Sequence, residues 1–179
     1  MGSTDVSNMT ASPPGQTGAD GSVPKNVLSD LGAIDLSKRL ISKQGIEKLI
    51  PHRHSMSLLD WIVWHSEDFL SGVALKHVRD DEFWVSGHFP ERPMLPGVLM
   101  IEAAAQLAVF LFNSRLPSPQ TAAFTRIEKC SFRNMVMPGE DLYVFCRVIK
   151  STRRGFVCNV QGFVTNKLAF EAEIHGLAV

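Results

Sequence analysis

From Val98 to Phe112 the chain runs 15 residues with only two polar side chains, Glu102 and Gln106. The stretch is too long for an ordinary strand, and too short and too polar at two points to span a bilayer. It predicts a helix from about Pro96 to Asn113, ended before the Pro117-Ser118-Pro119 segment. A helix that is apolar on nearly every side has to be covered on every side. The rest of the chain must supply a wrapping layer.

The material for that layer is β-type. Leu58–His65 and Phe69–Val78 precede the helix, and Ala122–Phe132, Leu142–Ser151, Gly155–Thr165 and Leu168–Gly176 follow it. Pro138-Gly139 marks a turn, and Asn166-Lys167 is placed to turn a hairpin. Gly45–Ile50 reads as a short helix stopped by Pro51. About five or six strands with short connections pair antiparallel, because parallel pairing needs crossover helices. No such helix is legible beyond Arg115. The expected fold class is α+β, a curved antiparallel sheet wrapped around one long central helix.

Composition divides the chain of 179 residues. Residues 1–25, rich in Ser, Thr, Gly, Pro and Asp, predict a disordered leader. Residues 26–44, with Leu28, Leu31, Ile34 and Leu40 at loosely helical spacing, predict a linker or docking helix. Residues 45–179 form the expected folded domain. Lys plus Arg and Asp plus Glu are each 18, and a chain without net charge is a poor candidate for nucleic-acid binding. No signal or transit peptide pattern is visible, and a cytoplasmic location is expected. Cys130, Cys146 and Cys158 lack any close spacing, so buried free thiols are expected rather than a disulfide or zinc site. His52 and His54 lack a third ligand and are expected on the surface or as scaffold. Trp61, Trp64 and Trp84 are expected in a core or an interface.

Three features near the helix point to chemistry. Glu102 and Gln106, four apart, share one helix face. An unpaired buried carboxyl tends to stay protonated, the property a general acid needs near neutral pH, and Gln106 is placed to orient it. A structural Glu–Gln pair, or a Glu facing solvent, is the alternative reading. His88 sits in the tight Gly87-His88-Phe89-Pro90 turn ahead of the helix. At the helix opening, the unpaired first-turn N–H groups of Gly97 and Val98 offer a place for a developing oxyanion. A base, an acid and an oxyanion site this close suggest proton transfer beside a carbonyl.

The segment Gly87-His-Phe-Pro-Glu-Arg-Pro-Met-Leu-Pro-Gly-Val-Leu-Met-Ile-Glu-Ala-Ala-Ala-Gln106 resembles the signature of the FabZ-type 3-hydroxyacyl-[acyl-carrier-protein] dehydratases. Leu49-Ile-Pro-His-Arg53, Phe132-Arg-Asn-Met-Val-Met-Pro-Gly-Glu-Asp141 and Ala169-Phe-Glu-Ala-Glu-Ile174 resemble further family motifs, so the likeness spans about residues 45–177. It implies a hotdog fold. It also implies a homodimer, commonly assembled as a trimer of dimers, in which the His of one subunit meets the Glu of the other. The substrate implied is a phosphopantetheine-linked acyl chain on an acyl carrier protein, and no cofactor or metal is implied. By position, His88 matches the base that takes the C2 proton, Glu102 the acid that protonates the departing 3-hydroxyl, and Gly97 the backbone donor to the thioester oxygen. Val98 and Gln106 join the substrate site. Met56, Phe89, Met94, Leu95 and Met100 are the candidate acyl-tunnel lining. The chain departs from the family at His54-Ser55-Met56, where Tyr-Pro-Phe is usual and the aromatic is associated with gating the tunnel. Thioester hydrolysis, or acyl or carrier-protein binding without turnover, are the rival expectations.

Overall fold

The computed structural model describes residues 34–179. The expected leader, and residues 26–33 of the expected linker or docking helix, lie outside the described residues. In chain order the elements are β1 (Ile41–Ser42), α1 (Lys43–Glu47), a 3-10 turn at His54–Met56, β2 (Trp61–His65) and β3 (Ser71–His77). They continue with α2 (Gly97–Asn113), β4 (Ala122–Phe132), β5 (Asp141–Thr152), β6 (Gly155–Val164) and β7 (Lys167–Ala178). The strands form one sheet in the order β1-β2-β3-β5-β6-β7-β4, antiparallel throughout. It curves around α2, which packs against β3, β5, β6 and β7. This is the hotdog arrangement that the sequence predicts.

The reason for the wrapping is visible along α2. From Met100 to Asn113 every residue except Glu102 is buried. Leu107 and Leu111 enter a core shared with Ala74, Val144, Cys146 and Val160 on the concave face of the sheet. The strand period of two sends the alternate residues to the convex face. There Val63, Val73, Leu75, Phe145, Phe163 and Leu168 form a second apolar cluster, covered in part by Ile34, Leu36, Trp61 and Trp64. Trp84 lies in the main core.

The departures from expectation are local. The strand β1 is two residues long, too short to show any period, and pairs with β2 through Ile41↔Ile62 and Ser42↔Trp61. The first helix begins at Lys43 rather than Gly45, although Ile50 N–H still bonds Ile46 O at 3.1 Å before Pro51 ends the turn. The last hairpin turns at Thr165-Asn166, one residue earlier than expected. Both residues have positive φ, 47° and 61°, as a two-residue turn between Val164 and Lys167 requires. Cys146 and Cys158 are buried, but Cys130 is exposed on β4, against the expectation for all three.

Lys76 is the unexpected core residue. It has the same strand parity as Ala74, points to the concave side and is 1% exposed. Its Nζ donates to both Glu82 oxygens, at 2.7 and 2.9 Å. Glu82 also accepts from Trp84 Nε1 and from the Arg79 N–H, both at 3.0 Å. Burial pushes the Glu82 carboxyl up, but these donors outweigh it and hold the group below its ordinary range. The pair pins the start of the loop that carries His88, and His88 N–H bonds Trp84 O at 2.8 Å.

Candidate active site

His88 is held by a reciprocal pair of bonds across its loop. Met94 N–H donates to His88 O at 2.9 Å, and His88 Nδ1 lies 2.9 Å from Met94 O. A carbonyl only accepts, so Nδ1 carries the proton and Nε2 keeps its lone pair. The ring stacks on Phe89 at a centroid distance of 4.3 Å. Leu95 N–H bonds Val136 O at 2.8 Å and ties the end of the loop to the segment before β5.

Glu102 stands one turn into α2 and is the half-buried exception on that helix. Its Oε1 accepts from Gln106 Nε2 at 2.9 Å and lies 3.2 Å from His52 Nε2. Gln106, with no exposed surface, also donates from Nε2 to Met56 O at 2.7 Å, and its Oε1 accepts the Leu58 N–H at 3.0 Å. Burial raises the Glu102 carboxyl, but the bonds from His52 and Gln106 and the electrostatic pull of His52 reverse that and hold it below 4.5. The expectation of a raised, unpaired carboxyl is therefore corrected. The sequence shows Gln106 at helical spacing but cannot show a donor fifty positions away. His52, expected on the surface or as scaffold, is half-buried and faces Glu102.

Pro96 caps α2 without a side-chain bond, and its carbonyl accepts from Leu99 and Met100 N–H at 2.9 and 3.3 Å. The Gly97 and Val98 N–H groups precede any intrahelical acceptor, as the sequence predicts. A side chain at Gly97 would meet the Phe132 ring at 2.8 Å, so glycine here lets that ring lie across the helix start. Of the candidate tunnel residues, Leu95 and Met100 are buried, Met94 is half-buried, and Met56 and Phe89 are exposed. Among the described residues His88 and Glu102 make no bond to one another; each is held by its own network.

Basic side chains on β4 and just after it are largely neutralised. Arg126 pairs with Glu128, Lys129 with Glu173, and Arg133 with Glu171. Lys150, Arg153 and Arg154, around the β5–β6 turn, have no carboxylate partner among the described residues. Among those residues no helix is long and apolar enough to cross a membrane.

A sheet curved around one helix, with an imidazole and a carboxyl near the helix start, defines a hotdog-fold protein with a candidate site at that helix end. Comparison with known proteins narrows this. Residues 50–173 match the FabA-like domain family. A 3-hydroxyacyl-[acyl-carrier-protein] dehydratase FabZ from Clostridium botulinum is 38% identical over 138 residues, covering 76% of this chain and 95% of that protein. A bifunctional enzyme LpxC/FabZ from Porphyromonas gingivalis is 42% identical over 132 residues; the match takes in 72% of this chain but 28% of that longer enzyme. Among solved structures, the dehydratase heterocomplex ApeI:P from Xenorhabdus doucetiae shares the fold with a TM-score of 0.66 at 14% identity, over 75% of this chain and 90% of that one. The chain belongs to the FabA-like family, among its FabZ-type 3-hydroxyacyl-[acyl-carrier-protein] dehydratases.

Proposed function

We propose that this chain is a dehydratase converting (3R)-3-hydroxyacyl thioesters of acyl carrier protein to trans-2-enoyl thioesters in fatty-acid or related lipid synthesis, with His88 as base and Glu102 as acid. The observation that carries the chemistry is the bond from His88 Nδ1 to Met94 O, which leaves Nε2 as a fixed proton acceptor. In the dehydration direction, Nε2 takes a proton from C2 and the C2–H electron pair forms the C2–C3 double bond. The C3–O bond breaks, and the departing oxygen takes the proton carried by the minor, protonated form of Glu102 and leaves as water. The N–H of Gly97 stabilises charge on the thioester oxygen, supported by the Val98 N–H at the positive end of α2. The step leaves Glu102 as the carboxylate and His88 as imidazolium, and loss of the His88 proton with regain of one by Glu102, through water, resets the site. Hydration of the enoyl thioester runs the same transfers backward, with water added at C3.

The separate networks of His88 and Glu102 support a homodimer in which the two groups come from different subunits. Phe89, Val98, Phe132 and Met135, each half or more exposed beside the His88 loop and helix start, suit a surface covered by a second copy. A trimer of dimers and a cytoplasmic location belong to the same proposal. The acyl carrier protein is acidic, and the unpaired Lys150, Arg153 and Arg154 suit its approach.

The test follows the loss of enoyl absorbance from a short trans-2-enoyl thioester with wild type, His88→Ala and Glu102→Gln. Turnover in wild type that falls about 10²–10⁴-fold in either variant is expected. Folded wild type that binds carrier-linked substrates of short and long chain but turns none over would make the protein a binding module.

A further inference from the structure

His52 is half-buried after α1, and its Nε2 faces Glu102 Oε1 at 3.2 Å. Its Nδ1 is buried with no hydrogen-bond partner. In the neutral ring a proton on Nδ1 would be an unpaired buried donor, so the proton belongs on Nε2, where it meets the carboxylate. The neighbouring Arg53 does not compete for Glu102: its guanidinium donates to the carbonyls of Glu47, Ile50 and His52. The other side chain on Glu102 is Gln106, from α2 itself, and both donors converge on Oε1. Oε2 has no partner among the described residues.

Residues 50–58 are strapped onto the helix mainly through backbone groups. The Met56 carbonyl and the Leu58 N–H hold Gln106, Lys43 Nζ donates to Ser57 O at 2.6 Å, and Ser57 Oγ donates to Glu47 at 2.7 Å. The side chains of His54, Ser55 and Met56 are exposed, so the substitutions at those positions leave the strap intact. The strap is what fixes His52 against Glu102.

We propose that His52 is a positioning residue for Glu102: its Nε2–H fixes the carboxyl through Oε1 and turns Oε2 to the substrate. The proposal rests on the role given to Glu102 above. Without the His52 donor one of the groups that lower the Glu102 carboxyl is lost, and the carboxyl rises from its wild-type position.

The experiment is direct titration of Glu102 by carbon-13 carboxyl NMR, its resonance assigned by disappearance in Glu102→Gln, alongside the pH profile of kcat/KM for dehydration. His52→Leu is expected to move the Glu102 midpoint up by about one pH unit or more, a tenfold change in the proton equilibrium. In a pair whose acid titrates below its base the low-pH limb of the dehydration profile follows the acid, so that limb moves up with Glu102. His52→Gln, which can place an N–H at the same oxygen, is expected to keep both near wild type. An unmoved Glu102 midpoint in folded His52→Leu, or an equal shift in His52→Gln, overturns the proposal. Should His52→Leu not fold, a wild-type Glu102 that titrates at or above 4.5 overturns it. The NMR midpoint decides the role of His52 even if wild type proves to have no dehydratase activity, which would count against the function alone.

Discussion

At the scale of single residues, one polar atom of each candidate catalytic group is anchored and the other is free for the proposed chemistry. His88 is anchored through Nδ1, and Glu102 through Oε1. Gln106 is the hub of the second anchor, because its amide serves Glu102, Met56 and Leu58 together. Gln106→Leu would leave the Leu58 N–H unpaired in the interior and the half-buried Met56 carbonyl without its donor. Urea unfolding should show a loss of about 1–3 kcal/mol, with a fall in dehydratase activity as Glu102 loses a donor. The depressed Glu102 value also makes a statement about stability. A carboxyl held below 4.5 in the folded state contributes stability above that value, and the contribution is lost as pH falls through the folded value. Glu102→Gln should therefore show a shallower loss of stability than wild type as the pH is lowered from about 5 to 3.

At the scale of elements, α2 was legible because its apolar run exceeds any strand and leaves no polar face. The longer strands were legible from their β-rich runs and turn residues. What stayed hidden depends on contacts across the chain. A two-residue strand such as β1 carries no pattern. His52 meets Glu102 only because the segment after α1 lies across the helix. Lys76 in a strand suggests solvent, and only the fold reveals Glu82 waiting on the concave side. That pair yields a test. Lys76→Met strands the Glu82 carboxylate in the interior, and thermal or urea unfolding should show a loss of about 3–5 kcal/mol. The double variant Lys76→Met/Glu82→Gln should recover part of it, since no charge is then left unpaired. A single variant as stable as wild type would mean that Glu82 reaches water by another route.

At the scale of the whole molecule, one chain completes the fold, and the proposed homodimer is what would complete the site. The sheet encloses α2 within the chain, whereas the His88 loop and the helix start present exposed apolar side chains beside the reactive groups. The site residues were legible in the sequence as candidates because they cluster around one helix start. How they meet was not, since in the proposed dimer the meeting belongs to two copies. A dimer of this kind has a symmetry consequence. A hybrid of one His88→Ala subunit and one Glu102→Gln subunit contains one site with both changes and one site with neither. The decisive measurement is therefore dehydratase activity after the two inactive variants are unfolded, mixed in equal amounts and refolded together. Random pairing should restore about a quarter of wild-type activity, because half the dimers are hybrids and each has one intact site of two. A refolded mixture that forms dimers yet stays as inactive as either variant alone would contradict a site shared between subunits through His88 and Glu102.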